Sequence, residues 1–260
     1  MRGPLTAVHR ARHVRLLGPA ALLLGGLLRP AHALAFDWPI PGVAVSGSGR
    51  LRREERALVP FSALKLGGSL AVELRQAATP RLALEGDDNI LPLIETEMHD
   101  TTLHIVQRRG IKPTRLLLVL HTPLLDSVTM GGAAVLNTEA WQAPRLTVNA
   151  GGAAALRLRG LRLETVFAEL GGAAVLTLAG AAGELVATLG GSAALRAAAL
   201  QARSATLQIG GAGNALVSAR EQLKASVGGA GGLRYHGQPR TELSRSGAGT
   251  IKALGDAPAG

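Results

Sequence analysis

Cysteine is absent from this 260-residue sequence. Its absence excludes a disulfide framework, a thiolate metal site and a lipoprotein attachment point. Aromatic residues are almost as scarce: three phenylalanines, two tryptophans and one tyrosine. So few rings furnish neither a base-stacking platform for nucleic acid nor a sugar platform of tryptophan or tyrosine. Aspartate is missing from residue 127 to residue 255, where the only acids are Glu139, Glu164, Glu169, Glu184, Glu221 and Glu242. Acid–base hydrolysis of glycans and binding of hard cations both need clustered carboxylates, and these acids are scattered. No catalytic residue, metal ligand or cofactor is therefore expected. Beyond the N-terminus, no apolar run is long enough to span a bilayer.

The N-terminus reads as an export signal. Arg2, Arg10, Arg12 and Arg15 form a basic leader without acids, Leu16 to Leu28 is apolar, and "AHALAF" offers small-x-small cleavage sites before Leu34 or Phe36. Removing residues 1–35 takes away five arginines and no acid, so the formal net charge falls from +10 to +5. Half of the basic excess thus belongs to the leader. A cysteine-free exported chain suits a bacterial periplasm or cell surface, where packing rather than cross-linking must supply stability.

What the chain has in abundance is glycine, 34 residues in all. Much of it recurs in one phrase: "TMGGAAVLNT", "NAGGAAALRL", "ELGGAAVLTL", "TLGGSAALRA", "QIGGAGNALV" and "SVGGAGGLRY". The second glycines are Gly132, Gly152, Gly172, Gly191, Gly211 and Gly229, with Gly247 of "RSGAGT" closing the series at intervals of 20, 20, 19, 20, 18 and 18. Such a period signals a solenoid. Within each copy apolar and polar residues alternate, as in Leu156, Arg157, Leu158 and Arg159, which is a strand pattern. A glycine inside a regular element costs roughly 0.5–1 kcal/mol relative to alanine, so an alanine-rich chain that keeps glycine here needs it. A positive φ at a corner, or close approach of stacked backbones, would explain the need.

The expectation is an all-β, single-stranded parallel β-helix (β-solenoid) with rungs of about 18–20 residues. The path of one rung, roughly 65 Å at ~3.3 Å per residue, suffices for a closed triangular coil. Residues 126–254 are read as regular rungs and 58–125 as irregular, wider N-terminal rungs. Residues 36–57 are read as a flexible lead-in, and 255–260 as a frayed tail.

Four further motifs occur in order. They are Phe61-Ser62-Ala63-Leu64-Lys65-Leu66, the turn Leu84-Glu85-Gly86-Asp87-Asp88-Asn89, a hairpin from Thr96 through Leu103 and Ile105, and Thr122-Pro123-Leu124-Leu125. The glycine copies follow, then Tyr235-His236-Gly237-Gln238-Pro239 and Ser246-Gly247-Ala248-Gly249. Over residues 60–252 this order resembles the head GIN domain family of auto-transporter adhesin heads. The resemblance implies a right-handed winding, a place at the cell envelope and no established activity. The family usually has Ser-Gly where this chain has Gly-Gly.

Arginine is the one residue type with functional promise. Arg157, Arg159, Arg162, Arg196, Arg203, Arg220, Arg234, Arg240 and Arg245 fall at outward or turn positions. Stacking could line several up, with Arg157, Arg159, Arg196 and Arg234 as the candidate stripe for a polyanion such as an anionic envelope glycan. The competing reading is charge that solubilises a rod. His99, His104, His121 and His236 lack metal-ligand spacing, Tyr235 is expected to plug the narrow end of the core, and Asp87-Asp88-Asn89 reads as an ordinary turn. "GGAGG" at 228–232 reads as a rung corner rather than a phosphate loop. The function expected is a non-enzymatic envelope or surface interaction module whose partner is an anionic glycan or a surface protein, with self-association open. The alternatives are a carbohydrate-active β-helix enzyme and a periplasmic structural protein without a ligand.

Overall fold

The computed structural model describes residues 44–256, so the expected leader, residues 36–43 and the last four residues lie outside it. Among the described residues strands dominate, there is no α-helix, and the one helical turn is a 3-10 piece at Leu91–Leu93. No described helix is long and apolar enough to cross a membrane.

The repeated half is a β-solenoid, and the chain makes about six turns. Strands Trp141–Ala150, Ala155–Leu170, Val175–Leu189, Ala194–Ile209 and Asn214–Val227 each pair in parallel with the next in sequence. Leu156, Leu176, Leu195, Ala215 and Leu233 stack as direct partners in one buried column. Leu146, Val166, Leu185, Ala205 and Leu223 form a second. Each such leucine contributes roughly 1.5–3 kcal/mol by leaving water. The alternation breaks three times per coil. In the coil that begins at Ala155, Arg159 and Gly160 are both exposed, Glu164 and Thr165 are not buried, and the turn at 171–173 follows Leu170. Three breaks make three sides.

The glycine pairs sit at one of these corners, and the two members of a pair differ. The second takes a left-handed φ of +63° to +71° in Gly132, Gly152, Gly172, Gly191, Gly211 and Gly229, and +85° in Gly247. A Cβ on Gly172 would lie 2.8 Å from the Gly152 carbonyl oxygen, the same oxygen that accepts from the Ala173 amide at 2.8 Å. Each corner therefore docks on the one beneath with no room for a methyl, which fixes the register of every coil. The first glycine is unconstrained: a Cβ on Gly131, Gly151 or Gly171 would meet nothing within 4 Å. The ladder also begins earlier than the copies suggest. A Cβ on Gly132 would lie 2.6 Å from the carbonyl oxygen of Gly68, itself at φ +83°.

The N-terminal region departs from the rungs expected over 58–125. Ala63–Leu66 and Ala71–Gln76 do stack in parallel on Ser127–Met130 and Val135–Thr138. Thr102–Gln107 and Leu116–Thr122 lie in parallel beneath them. There the parallel plan stops. Arg81–Asp87 runs antiparallel to Leu116–Thr122, Leu51–Ala57 antiparallel to Arg81–Asp87, and Ile94–His99 antiparallel to Thr102–Gln107. The physical reason is loop length. His99 pairs with Thr102 across a two-residue loop, with Asp100 at φ +53°, and only antiparallel strands close so short a connection. This region is a cap over the start of the stack.

The described part of the lead-in, residues 44–57, is ordered, contrary to the expectation of flexibility. Val45–Ser46 pairs with Ile111–Lys112, and Leu51–Ala57 forms the outermost strand of the cap. Between them the "SGSG" segment is held by the Asp87-Asp88-Asn89 turn. Asn89 accepts from the Ser48 amide at 2.9 Å and donates to the Ser46 carbonyl at 2.8 Å. Fully buried Asp87 accepts from the amides of Gly49 and Thr114, each at 2.8 Å. Burial pushes the Asp87 carboxyl up, but the amides of Gly49, Thr114 and Arg115 outweigh it, and its pKa is lowered from 3.8.

Candidate functional site

Because the glycine corner fixes register, residues one strand position beyond it form rows along the rod. The inward row is the buried leucine column. The outward row beside it reads Asn137, Arg157, Thr177, Arg196, Leu216, Arg234 and Lys252, each the direct partner of the next. Adjacent parallel strands are ~4.8 Å apart, so Arg157 and Arg196 stand about 10 Å apart along the axis, as do Arg196 and Arg234. Lys252 lies one step beyond Arg234, and the four cations cover about 24 Å.

The neighbouring outward row is Val135, Ala155, Val175, Ala194, Asn214, Gly232 and Thr250, small and uncharged throughout. Arg157, Arg196, Arg234 and Lys252 are exposed. Among the described residues none of the four has a carboxylate within ion-pairing distance. The nearest acid in the same row is Glu73, which pairs with Asn137 on the strand side and holds Arg75 at 2.9 Å. The result is a line of exposed cations, none of them ion-paired among the described residues, with Glu73 and Glu139 only at its first end.

The structure thus brings together three of the four stripe candidates, and it sets Arg159 apart. Arg159 sits at the bend, where the ladder slips between Leu158 and Leu161, and lies 3.9 Å from Glu139. The remaining arginines do not share the row: Arg162, Arg203 and Arg220 lie on another side, and Arg240 and Arg245 belong to the outermost strand of the last coil. Lys252 joins the row although the arginine pattern alone does not include it. Its signal was available, since it stands five residues past the last ladder glycine, as Arg157 does past Gly152 and Arg196 past Gly191.

The other flagged groups have structural settings. The rings of His99 and His104 are 4.5 Å apart. The His104 pKa is lowered by burial, then by the charges of His99 and Lys65. His121 is lowered by burial, then by Arg81 and Arg75. His236 meets the backbone carbonyl of Asp256, and Tyr235 packs against the end of the core. Gly228 to Gly232 form the corner that docks on Gly211. Among the described residues no group of three or more histidines and acids could hold a metal ion.

The family model described as putative auto-transporter adhesin, head GIN domain, matches residues 60–239. None of the curated proteins matches the chain. Among solved structures, a putative adhesin from Bacteroides fragilis superposes with a TM-score of 0.76 at 22% identity, covering 81% of this chain and all of that one. A putative lipid binding protein from Parabacteroides distasonis gives 0.67 at 19% identity, over 82% of this chain and all of its own. A putative adhesin from Parabacteroides merdae gives 0.65 at 21% identity, over 81% and 99%. At these identities the likeness concerns the fold. The family match, which spans more than two thirds of the sequence, settles the kinship: the chain belongs to the head GIN domain family of putative auto-transporter adhesins.

Proposed function

We propose that the protein is an exported, non-enzymatic envelope module that grips an anionic envelope glycan along the row Arg157, Arg196, Arg234 and Lys252. The observation that carries this reading is the row itself: four cations in strict register on one face, without a paired acid. Guanidinium forks suit phosphate and carboxylate groups presented along a polymer. An adhesin-like role accords with the descriptions of the family and of its structural relatives. Export is supported by the basic leader and the apolar stretch that follows it. The same reading takes the winding as right-handed, as the family resemblance implies, and the rungs as 18–20 residues, as the glycine intervals suggest.

The test is binding of purified protein to immobilised lipopolysaccharide and teichoic acid as salt is raised. Saturable binding that fades as the Debye length falls from about 10 Å near 0.1 M to about 3 Å near 1 M is the expected result. Absence of binding even at low salt contradicts the reading. Protease shaving of intact cells carrying a C-terminally tagged chain, with a periplasmic control, separates surface from periplasm.

A second reading, a carbohydrate-active enzyme, has one place to start. Glu184 pairs with Thr165, so Glu164 and Glu184 share a corner in adjacent coils. Release of reducing ends from an envelope polysaccharide, lost in Glu184→Gln, would favour it.

A further inference from the structure

The side of the coil between the bend at residues 159–160 and the corner near residue 164 differs from the other two. The ladder slips there in successive coils, between Leu158 and Leu161, between Thr177 and Ala179, and between Ala197 and Ser204. Bulged ladders re-aim side chains and gather near functional sites. In one coil this side shrinks to Gly180-Ala181-Ala182-Gly183, with nothing larger than a methyl group. The coil below places Arg162 against Ala181, and the coil above places Gln201 there.

The outcome is a notch, a groove of about 700 Å³ floored by Ala181, Ala182 and Gly183. Its walls carry Arg162, Glu164 and Gln142 on one side and Gln201, Arg203, Arg220 and Glu221 on the other. The volume lies within the ~300–1,000 Å³ range of small-molecule sites. The floor cannot be raised at Gly183, where a Cβ would lie 2.6 Å from the Glu164 carbonyl oxygen. Arg220 donates to Gln201, and Arg203 lies 3.8 Å from Glu221. Arg162 and Glu164 have no ion-pair partner among the described residues.

We infer that this groove binds a uronate residue of an acidic oligosaccharide. The guanidiniums of Arg162 and Arg203 suit a carboxylate, while Glu164, Gln142 and Gln201 suit the hydroxyls of the same ring. The lining excludes other classes. It holds no aromatic ring on which a base would stack, and too little apolar wall for an acyl chain. A neutral sugar would leave the Arg162 guanidinium unmatched. The groove shares no residue with the cation row and lies on a different side of the coil, so the inference stands apart from the proposed function.

The experiment titrates the purified protein calorimetrically with a galacturonate trimer and with maltotriose, in about 0.3 M salt to suppress binding by the exposed row. The trimer binds saturably and maltotriose does not. Ala181→Trp fills the notch from an exposed position and leaves the core untouched. Each of Ala181→Trp, by occupying the notch, and Arg162→Gln, by losing a charge-assisted hydrogen bond, weakens trimer binding at least about ten-fold. Lys112→Gln, exposed in the cap and outside both the row and the groove, binds the trimer as the parent does. No binding by the parent, equal binding of maltotriose, or unchanged affinity in both Ala181→Trp and Arg162→Gln overturns the inference.

Discussion

The N-terminal cap and the repeated stack handle charge in opposite ways. In the cap, seven ion pairs, each of an arginine with a carboxylate, join residues between Arg50 and Arg115, including Arg53 and Arg115 on the two oxygens of Glu85. In the stack there are three, at 3.9, 3.8 and 3.3 Å, while Arg157, Arg196, Arg234 and Lys252 stay free. The cap is also joined by side chains from far along the sequence, with Asp87 and Asn89 reaching back about forty residues to the 46–49 segment. The stack relies on backbone ladders and one glycine per coil. Charge in the cap is matched by neighbouring charge. Unmatched charge leaves the stack with something to offer a partner.

That contrast can be broken at its strongest point first. Gly172→Ala places a residue at φ +63° with its Cβ 2.8 Å from the Gly152 carbonyl oxygen. A left-handed non-glycine residue costs about 1–2 kcal/mol before any clash, so a loss of roughly 2–4 kcal/mol is expected in denaturant unfolding. Gly171→Ser, one residue away in open space, should stay within about 0.5 kcal/mol of the parent. Similar losses for both would show that the corner is not the register device.

Next in size is the clamp on the cap. Asp87→Asn removes the charge that the Gly49 and Thr114 amides favour, so amides of residues 44–50 should exchange with solvent before the leucine columns open. Uniform exchange across cap and stack would contradict this.

A milder effect comes from acid. The pKa values of His104 and His121 are lowered from 6.5 and that of Asp87 from 3.8. Groups lowered on folding contribute stability that is present above the unfolded value and lost as pH falls through the folded one. The cap should therefore weaken first below pH 6.5 through the histidines, and again below pH 3.8 through Asp87. Tryptophan fluorescence of Trp141, in the stack, should lag behind exchange of the cap amides. The smallest stability change is expected for Arg196→Gln, within about 0.5 kcal/mol.

The stack was legible in the sequence because one rule repeats. The interval between glycines gave the coil, and alternation gave the inward leucines. Since parallel partners are in direct register, the same parity placed Arg157, Arg196 and Arg234 in one row. It failed at Arg159, where the bend puts two exposed residues side by side and ends the alternation. The cap was less legible because its strands pair across long separations, as Arg53 does with Glu85. Gly67-Gly68 stands outside the run of copies, since 62 residues and a whole second layer separate it from the next pair. The notch had a visible cause in Gly180-Ala181-Ala182-Gly183, but its walls belong to coils twenty residues away on either side.

The most direct test of the central claim, that register rather than net charge makes the binding face, compares Arg196→Glu with Arg159→Glu. The two carry the same charge change, one in the row and one at the bend. Binding to immobilised lipopolysaccharide at low salt should fall at least about ten-fold for Arg196→Glu and less than about three-fold for Arg159→Glu, steps of roughly 1.4 and 0.7 kcal/mol. Equal losses in the two variants would mean that the rod binds through its overall charge and that the row has no special part.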